Sequence, residues 1–237
     1  VCFIDPFQGF VGAKFSVETL KAKKAATLYN RSQSYSTGLN AEFVKAFKSL
    51  GGTVVIEQAY GDGDNEFSAQ LSAIKAQNPD VIYVPGYYNE IIQIAPQARQ
   101  RGITVPLVGG DGWVSDKLKQ AGSALDNCYF SDHYAQEDKR PEVQEFLTKY
   151  KAEYNSVPDS MAALGYDAAN LLFDAMERAP SLSGPDLAKA IADTRGPKAF
   201  KAVTGKIDFD DNRNPTKLAV IQKLKGGEFS YFATVNP

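Results

Sequence analysis

Tyr35, Tyr87, Asp111 and Trp113 each stand just beyond an apolar run of the chain. Together they offer one carboxylate, two phenols and an indole. A carboxylate accepts hydrogen bonds from an ammonium, phenols donate to a carboxylate, and aromatic faces wall an apolar side chain. That set suits a free amino acid. A charge-assisted hydrogen bond to Asp111 would contribute about 1.5–3 kcal/mol. The Tyr60–Asp64 loop, YGDGD, shares this placement. Each residue also has a plainer reading. Asp111 lies in GGDG, which is ordinary turn chemistry. Tyr87 and Tyr88 are neighbours, and neighbours in an extended stretch point apart, so at most one enters a site. Trp113 is the only tryptophan. It is either a packing residue or a lid over the ligand.

The elements that position these residues read as follows. Short apolar stretches start near residues 25, 53, 81, 105 and 128. Amphipathic helical patterns separate them, such as Leu39, Phe43, Phe47 and Leu50, closed by Gly51-Gly52. The first helix is expected over 12–22, a polar loop over 30–36, and a short helix over 117–120. Asp64 or Asn65 is placed to cap the helix carrying Phe67, Leu71 and Ile74. The stretch 80–90, DVIYVPGYYNE, shows the pattern most clearly: a strand, a Pro-Gly turn, then a helix. A repeat of ~25 residues fits β-α units, hence an α/β fold with a parallel sheet covered on both faces. Right-handed crossovers put the strand-to-helix loops on one edge of that sheet, where ligands of open α/β sheets bind.

After Tyr134 the pattern changes. The charged stretch AQEDKRP leads into two long helices, one with Val143, Phe146, Leu147 and Tyr150, the other with Met161, Leu164, Ala168, Leu171, Leu172 and Ala175. A smaller helix carries Leu187 and Ile191, and the end is strand-like, over 218–224 and 229–234.

Composition narrows the function classes. With 43% hydrophobic and 23% charged residues the chain is of ordinary globular type. A net charge of −2 without a basic patch argues against a nucleic-acid partner. No apolar run approaches the ~20 residues of a membrane span. One histidine and two cysteines supply too few ligands for a zinc site. Cys2 and Cys128 are either bridged or free. His133 has no partner in a nucleophile motif, and no glycine loop matches a nucleotide signature, so neither catalysis nor a cofactor is expected. GDGDNE (61–66) and DFDDNRNP (208–215) lack the spacing of a calcium loop and read as capping and turn segments. The opening, VCFIDPFQG, has no initiator Met and no leader pattern, so processing or a preceding segment is expected.

VCFIDPFQG, KKAATLYNRSQSYSTGL, FSAQLSAIKAQNPDVIYVPGYYNE, VGGDGW and ALGYDAANLL resemble the branched-chain amino acid binding proteins of ABC transporters, which are type I periplasmic binding proteins. The resemblance runs the length of the chain, and GYYNE followed by GGDGW is its most specific part. It implies two α/β lobes joined by three crossings, at 4–9, 131–135 and 210–215, closing on a ligand. Lobe 2 would be 8–132 plus 216–237, and residues 1–7 and 133–215 would belong to lobe 1. Relatives carry a further N-terminal stretch that completes lobe 1 and supplies donors for the ligand carboxylate. Lobe 1 is therefore expected to be incomplete here, with apolar helix faces of 133–215 exposed. Tyr35, Tyr87 and Asp111 match the family's ligand positions, with Asp111 facing the ligand ammonium; Trp113 as a wall is an inference from its neighbourhood. The resemblance further implies a membrane permease as partner and a periplasmic or extracytoplasmic location. A sensing receptor or regulator on the same fold, and an α/β enzyme, are the rival classes.

Overall fold

The computed structural model describes residues 1–236. It divides into two compact units: Asp5–Asp132 with Val220–Val235, and Val1–Ile4 with His133–Ala219 and Asn236.

The larger unit is built on a seven-stranded sheet in the order β2-β1-β3-β4-β5-β8-β9. β1 is Lys24–Asn30, β2 Thr53–Tyr60, β3 Val81–Tyr83, β4 Leu107–Gly109 and β5 Cys128–Asp132. These five pair in parallel, as the alternating pattern predicts. β8 (Ala219–Lys225) then adds antiparallel to β5, Cys128 opposite Leu224, and β9 (Glu228–Val235) follows across Gly226-Gly227. β4 begins two residues later than expected. Pro106 has no N–H to donate, and gives its carbonyl to Ile82 N–H at 3.0 Å. β3, β4 and β5 are buried along their whole length, the mark of a sheet covered on both faces.

The helices of this unit are α1 (Asp5–Lys14), α2 (Ser34–Ser49), α3 (Ser68–Ala76) and α4 (Tyr88–Gln100). α1 starts seven residues before the expected Gly12 and runs into a wide π turn, Phe15–Thr19. The reason is the Asp5-Pro6 pair. An acid favours the helix N-terminus, and proline lacks only an N–H that the first turn leaves unpaired anyway. α1 also lies close to its neighbours. A Cβ on Gly9 would stand 2.8 Å from Glu42 Cβ of α2, and one on Gly12 would stand 2.8 Å from Tyr83 Cε2 of β3. The expected cap of α3 is used elsewhere. Asp64 accepts the N–H of Gly61 at 2.7 Å inside its own turn, and Gln97 Oε1 takes the Phe67 N–H at 2.8 Å. The short helix expected at 117–120 is part of a longer 3-10 run, Asp116–Leu125, kinked at Gly122.

The smaller unit holds α5 (Pro141–Tyr154), α6 (Ser160–Arg178), α7 (Gly184–Ala192) and a hairpin of β6 (Phe200–Ala202) and β7 (Gly205–Ile207). Asp167 of α6 pins the hairpin. It is 1% exposed and accepts the N–H groups of Val203 and Thr204, each at 2.8 Å. Of the apolar residues of α6, Leu164, Leu171 and Ala175 are buried, while Met161 and Leu172 stand in solvent beside Phe173. The segment Asp210–Pro215, expected to cross between lobes, is a closed turn within this unit. Asp210 Oδ1 accepts the N–H groups of Asn212 and Asn214, Phe209 pairs with Pro215, and Arg213 adopts a positive φ of 65°. The chain instead leaves the unit after Ala219. His133 stacks on Phe3 at 4.0 Å. Both cysteines are free thiols, Cys2 exposed and Cys128 buried. Among the described residues no helix is long and apolar enough to cross a membrane.

Candidate ligand-binding site

Three loops of the larger unit meet at the carboxyl ends of β1, β3 and β4. Ser36 ties the first two together. Its hydroxyl accepts the Asn30 N–H at 2.8 Å and donates to the carbonyl of Pro85. Tyr35, expected in a polar loop, therefore sits in the first turn of α2. The helix fixes its direction.

The Tyr35 hydroxyl lies 2.8 Å from Asp111 Oδ1 and 3.1 Å from Gln8 Oε1, and accepts the Gly112 N–H at 3.1 Å. One proton cannot serve two acceptors at once, and the charged acceptor is the stronger. The ring stacks on Tyr87, centroids 5.1 Å apart and 28° between planes. Tyr87 is 39% exposed. Tyr88 faces the other way, packing on the core with the Lys117 ammonium 5.2 Å from its ring centroid. The two tyrosines are thus divided as neighbours in an extended stretch must be.

Glycines make this meeting feasible through close approach. A Cβ on Gly110 would stand 2.6 Å from the Tyr35 hydroxyl and 2.7 Å from Gln8 Oε1. One on Gly112 would stand 2.7 Å from the Gly86 carbonyl oxygen and 3.1 Å from the Tyr87 ring. GGDG is therefore a turn whose glycines allow this close approach.

Burial and the carboxylate of Asp111 set the protonation of the site. Burial, and then the charge of Asp111, push the Tyr35 hydroxyl well above its ordinary range, so it stays a neutral donor. Tyr87 is raised by burial and then by Asp111 and Asp5. Asp5 itself is raised by burial and then by Asp111. Each shift is caused first by burial and only then by the neighbouring carboxylates.

Trp113 is not a wall of this site. It is fully buried in the core of the unit, donates its indole N–H to the Val84 carbonyl at 3.1 Å, and packs on Phe130. An indole set directly under a turn packs inward when its N–H finds a carbonyl there. A Cβ on Gly109 would stand 2.1 Å from its ring. The Tyr60–Asp64 loop also serves structure. Tyr60 is buried, and Asp62 accepts from Asn30 Nδ2 at 2.7 Å and Gln33 Nε2 at 3.0 Å. Asp5 and Gln8 lie in 4–9, the stretch expected as a crossing, and so are absent from the expected site. The Asp5-Pro6 pair is the one signal of a helix start there, and it puts both on one face of α1.

Comparison with known proteins fits this architecture. The model of a family described as periplasmic binding protein matches residues 7–228. A Leu/Ile/Val-binding protein homologue of Brucella abortus is 27% identical, over 98% of this chain and 62% of its own length. The leucine-specific-binding protein of Salmonella typhimurium is 28% identical, over 97% of this chain and 58% of its own. The crystal structure of the leucine binding protein LivK from Thermotoga maritima superposes with a TM-score of 0.93 and 39% identity, covering all of this chain and 67% of that one. LivJ of Streptococcus pneumoniae, solved with isoleucine, gives 0.88 and 32%, over 98% of this chain and 66% of that one. The chain thus spans less than two thirds of the curated relatives it matches. Sharing a family model over nearly all of its length, and the sheet order and loop chemistry described above, the chain belongs to the periplasmic binding protein family.

Proposed function

We propose that the chain binds an amino acid, with a branched-chain side chain preferred, as the solute-binding component of an ABC importer. The observation that carries this reading is the Tyr35–Asp111 pair beside the exposed face of Tyr87. A carboxylate accepts several hydrogen bonds, so Asp111 can take the Tyr35 hydroxyl and a ligand ammonium together. The Tyr87 ring offers an apolar face to the ligand side chain. Relatives named for leucine, isoleucine and valine support the choice of ligand. A membrane permease as partner and a periplasmic or extracytoplasmic location follow from the same reading. The groups at the site bind; no bond-making step is assigned to them.

Trp113 reports on the test, because it is two residues from Asp111 and is the only tryptophan. Its fluorescence is followed while L-leucine, L-isoleucine, glycine and L-glutamate are titrated, with calorimetry in parallel. A saturable response to the two branched ligands alone is expected. Equal responses to all four, or heatless and silent titrations of leucine, would overturn the assignment.

A further inference from the structure

The Tyr35 hydroxyl has one proton to give and two lone pairs to fill. Three groups stand within its reach: Asp111 Oδ1 at 2.8 Å, the Gly112 N–H at 3.1 Å and the end of the Gln8 amide at 3.1 Å. The carboxylate is the closest and the strongest acceptor, so the proton goes to Asp111. The Gly112 N–H fills one lone pair. The second lone pair faces Gln8 and needs a donor. With Oε1 turned toward it, two oxygens meet with no proton between them. Meanwhile Nε2, the donor of the same amide, has no hydrogen-bond partner among the described residues. Gln8 is 2% exposed, so Nε2 is shut away from bulk water. Buried N–H groups are rarely left unpaired, buried carbonyl oxygens somewhat more often. The end of Gln8 is also held in place, since a Cβ on Gly110 would stand 2.7 Å from it. The two ends of an amide are nearly the same size, so a half-turn about the last side-chain bond keeps that packing. It removes both mismatches at once.

We propose that Gln8 is a positioning residue of the site: it presents Nε2 to the Tyr35 oxygen, which commits the one Tyr35 proton to Asp111 and leaves none for a ligand carboxylate. Tyr35 then acts on a ligand only through Asp111. That consequence rests on the reading of the site as an amino-acid site. It divides the roles of the two stacked tyrosines. Tyr35 orients the carboxylate of Asp111, and Tyr87, the exposed one, is the phenol left to meet a ligand. The expectation that both phenols donate to a ligand carboxylate is narrowed to Tyr87. Burial, and then the charge of Asp111, keep the Tyr35 proton in place, in agreement with this order of bonds.

The test uses Gln8→Met, Tyr35→Phe and the double variant of the 237-residue chain, with melts by circular dichroism to confirm folding. With glutamine 15N-labelled, the side-chain amide signals of Gln8 are identified by their absence from Gln8→Met. One Nε2 proton should lie downfield and move upfield in Tyr35→Phe. Gln8 signals that stay in place in Tyr35→Phe overturn the inference. Binding of L-leucine is then measured by calorimetry. L-leucinol, in which a hydroxymethyl group replaces the carboxylate, is measured by displacement of leucine. Tyr35→Phe should weaken both ligands by the same factor, about tenfold, because the loss passes through Asp111. Gln8→Met should weaken both about threefold and add nothing to the loss in Tyr35→Phe. A Tyr35→Phe loss confined to leucine means that Tyr35 donates to the ligand carboxylate, and overturns the inference, as do additive losses in the double variant. Silence of the unaltered chain toward both ligands overturns the amino-acid reading, while the amide spectrum, taken without ligand, still decides the order of the hydrogen bonds.

Discussion

In the larger unit many of the biggest side chains are fully buried, although Tyr87, Tyr231 and Phe232 are exposed. Trp113, Tyr60, Tyr83, Phe43, Phe47 and Phe67 are all closed off from solvent. In the smaller unit Tyr154 and Leu182 are each 64% exposed, and Val157 and Phe173 each 57%. The difference follows from architecture. A sheet flanked by helices on both faces encloses apolar groups on each side of every strand. Three helices and a two-stranded hairpin share one inner face only. Asp167 and two small clusters hold that inner face, while Met161 and Leu172 of α6 are exposed and Phe173 lines an open pocket beside the hairpin.

Substitutions in the two units should separate accordingly. The largest effect is expected for Trp113→Ala, which removes a buried ring and its bond to Val84 and should destabilise the larger unit by about 3–5 kcal/mol in urea unfolding. Asp167→Ala comes next. It strands two buried N–H groups and should cost about 2–3 kcal/mol, seen as an earlier transition of the smaller unit alone. If both substitutions shift one common transition equally, the units unfold as one. Asp111→Asn should leave stability nearly untouched yet lower leucine affinity by about ten- to a hundredfold in calorimetry, the range of a lost charge-assisted contact. A smaller effect concerns pH. Asp5 has a folded-state value above the ordinary one, so the folded protein holds its proton more tightly than the unfolded chain does. Its charge then opposes folding above that folded value, and the cost disappears as pH falls through it. Because Asp5 is exposed, solvent screens most of this. Asp5→Asn should raise the melting temperature at pH 7 by about 1–2 °C, with the gain gone near pH 3. Least of all, Leu172→Ser on the outer face of α6 should change stability by under about 0.5 kcal/mol while reducing light scattering on concentration.

Much of the larger unit could be read from the chain because its signals are local. Runs such as AATLY and VIYV are short and mostly apolar, and Gly51-Gly52 ends the helix after the first of them. The five parallel strands fall within two residues of the expected starts. What escaped depended on contacts far apart in sequence. Trp113 faces the core because the Val84 carbonyl awaits its N–H, 29 residues back in the chain. Asp64 serves Gly61 because Gln97, 30 residues beyond Phe67, supplies the acceptor expected of it. Asp210 closes its own turn because its side chain competes with an extended path. The candidate site shows the same division. Asp111 and Tyr87 stand in turns that their neighbours announce, Tyr35 stands in a helix where a loop is expected, and Gln8 reaches Tyr35 only because α1 begins early and packs on α2.

The glycines at positions 9, 12, 110 and 112 have a consequence for anyone redesigning this protein as a sensor. The space beside each is taken by a neighbour closer than 3 Å. A library that varies these codons would chiefly yield misfolded clones. Diversity belongs instead at Tyr87, whose ring borders open solvent and which, on the proposed function, would face the ligand without being part of the frame.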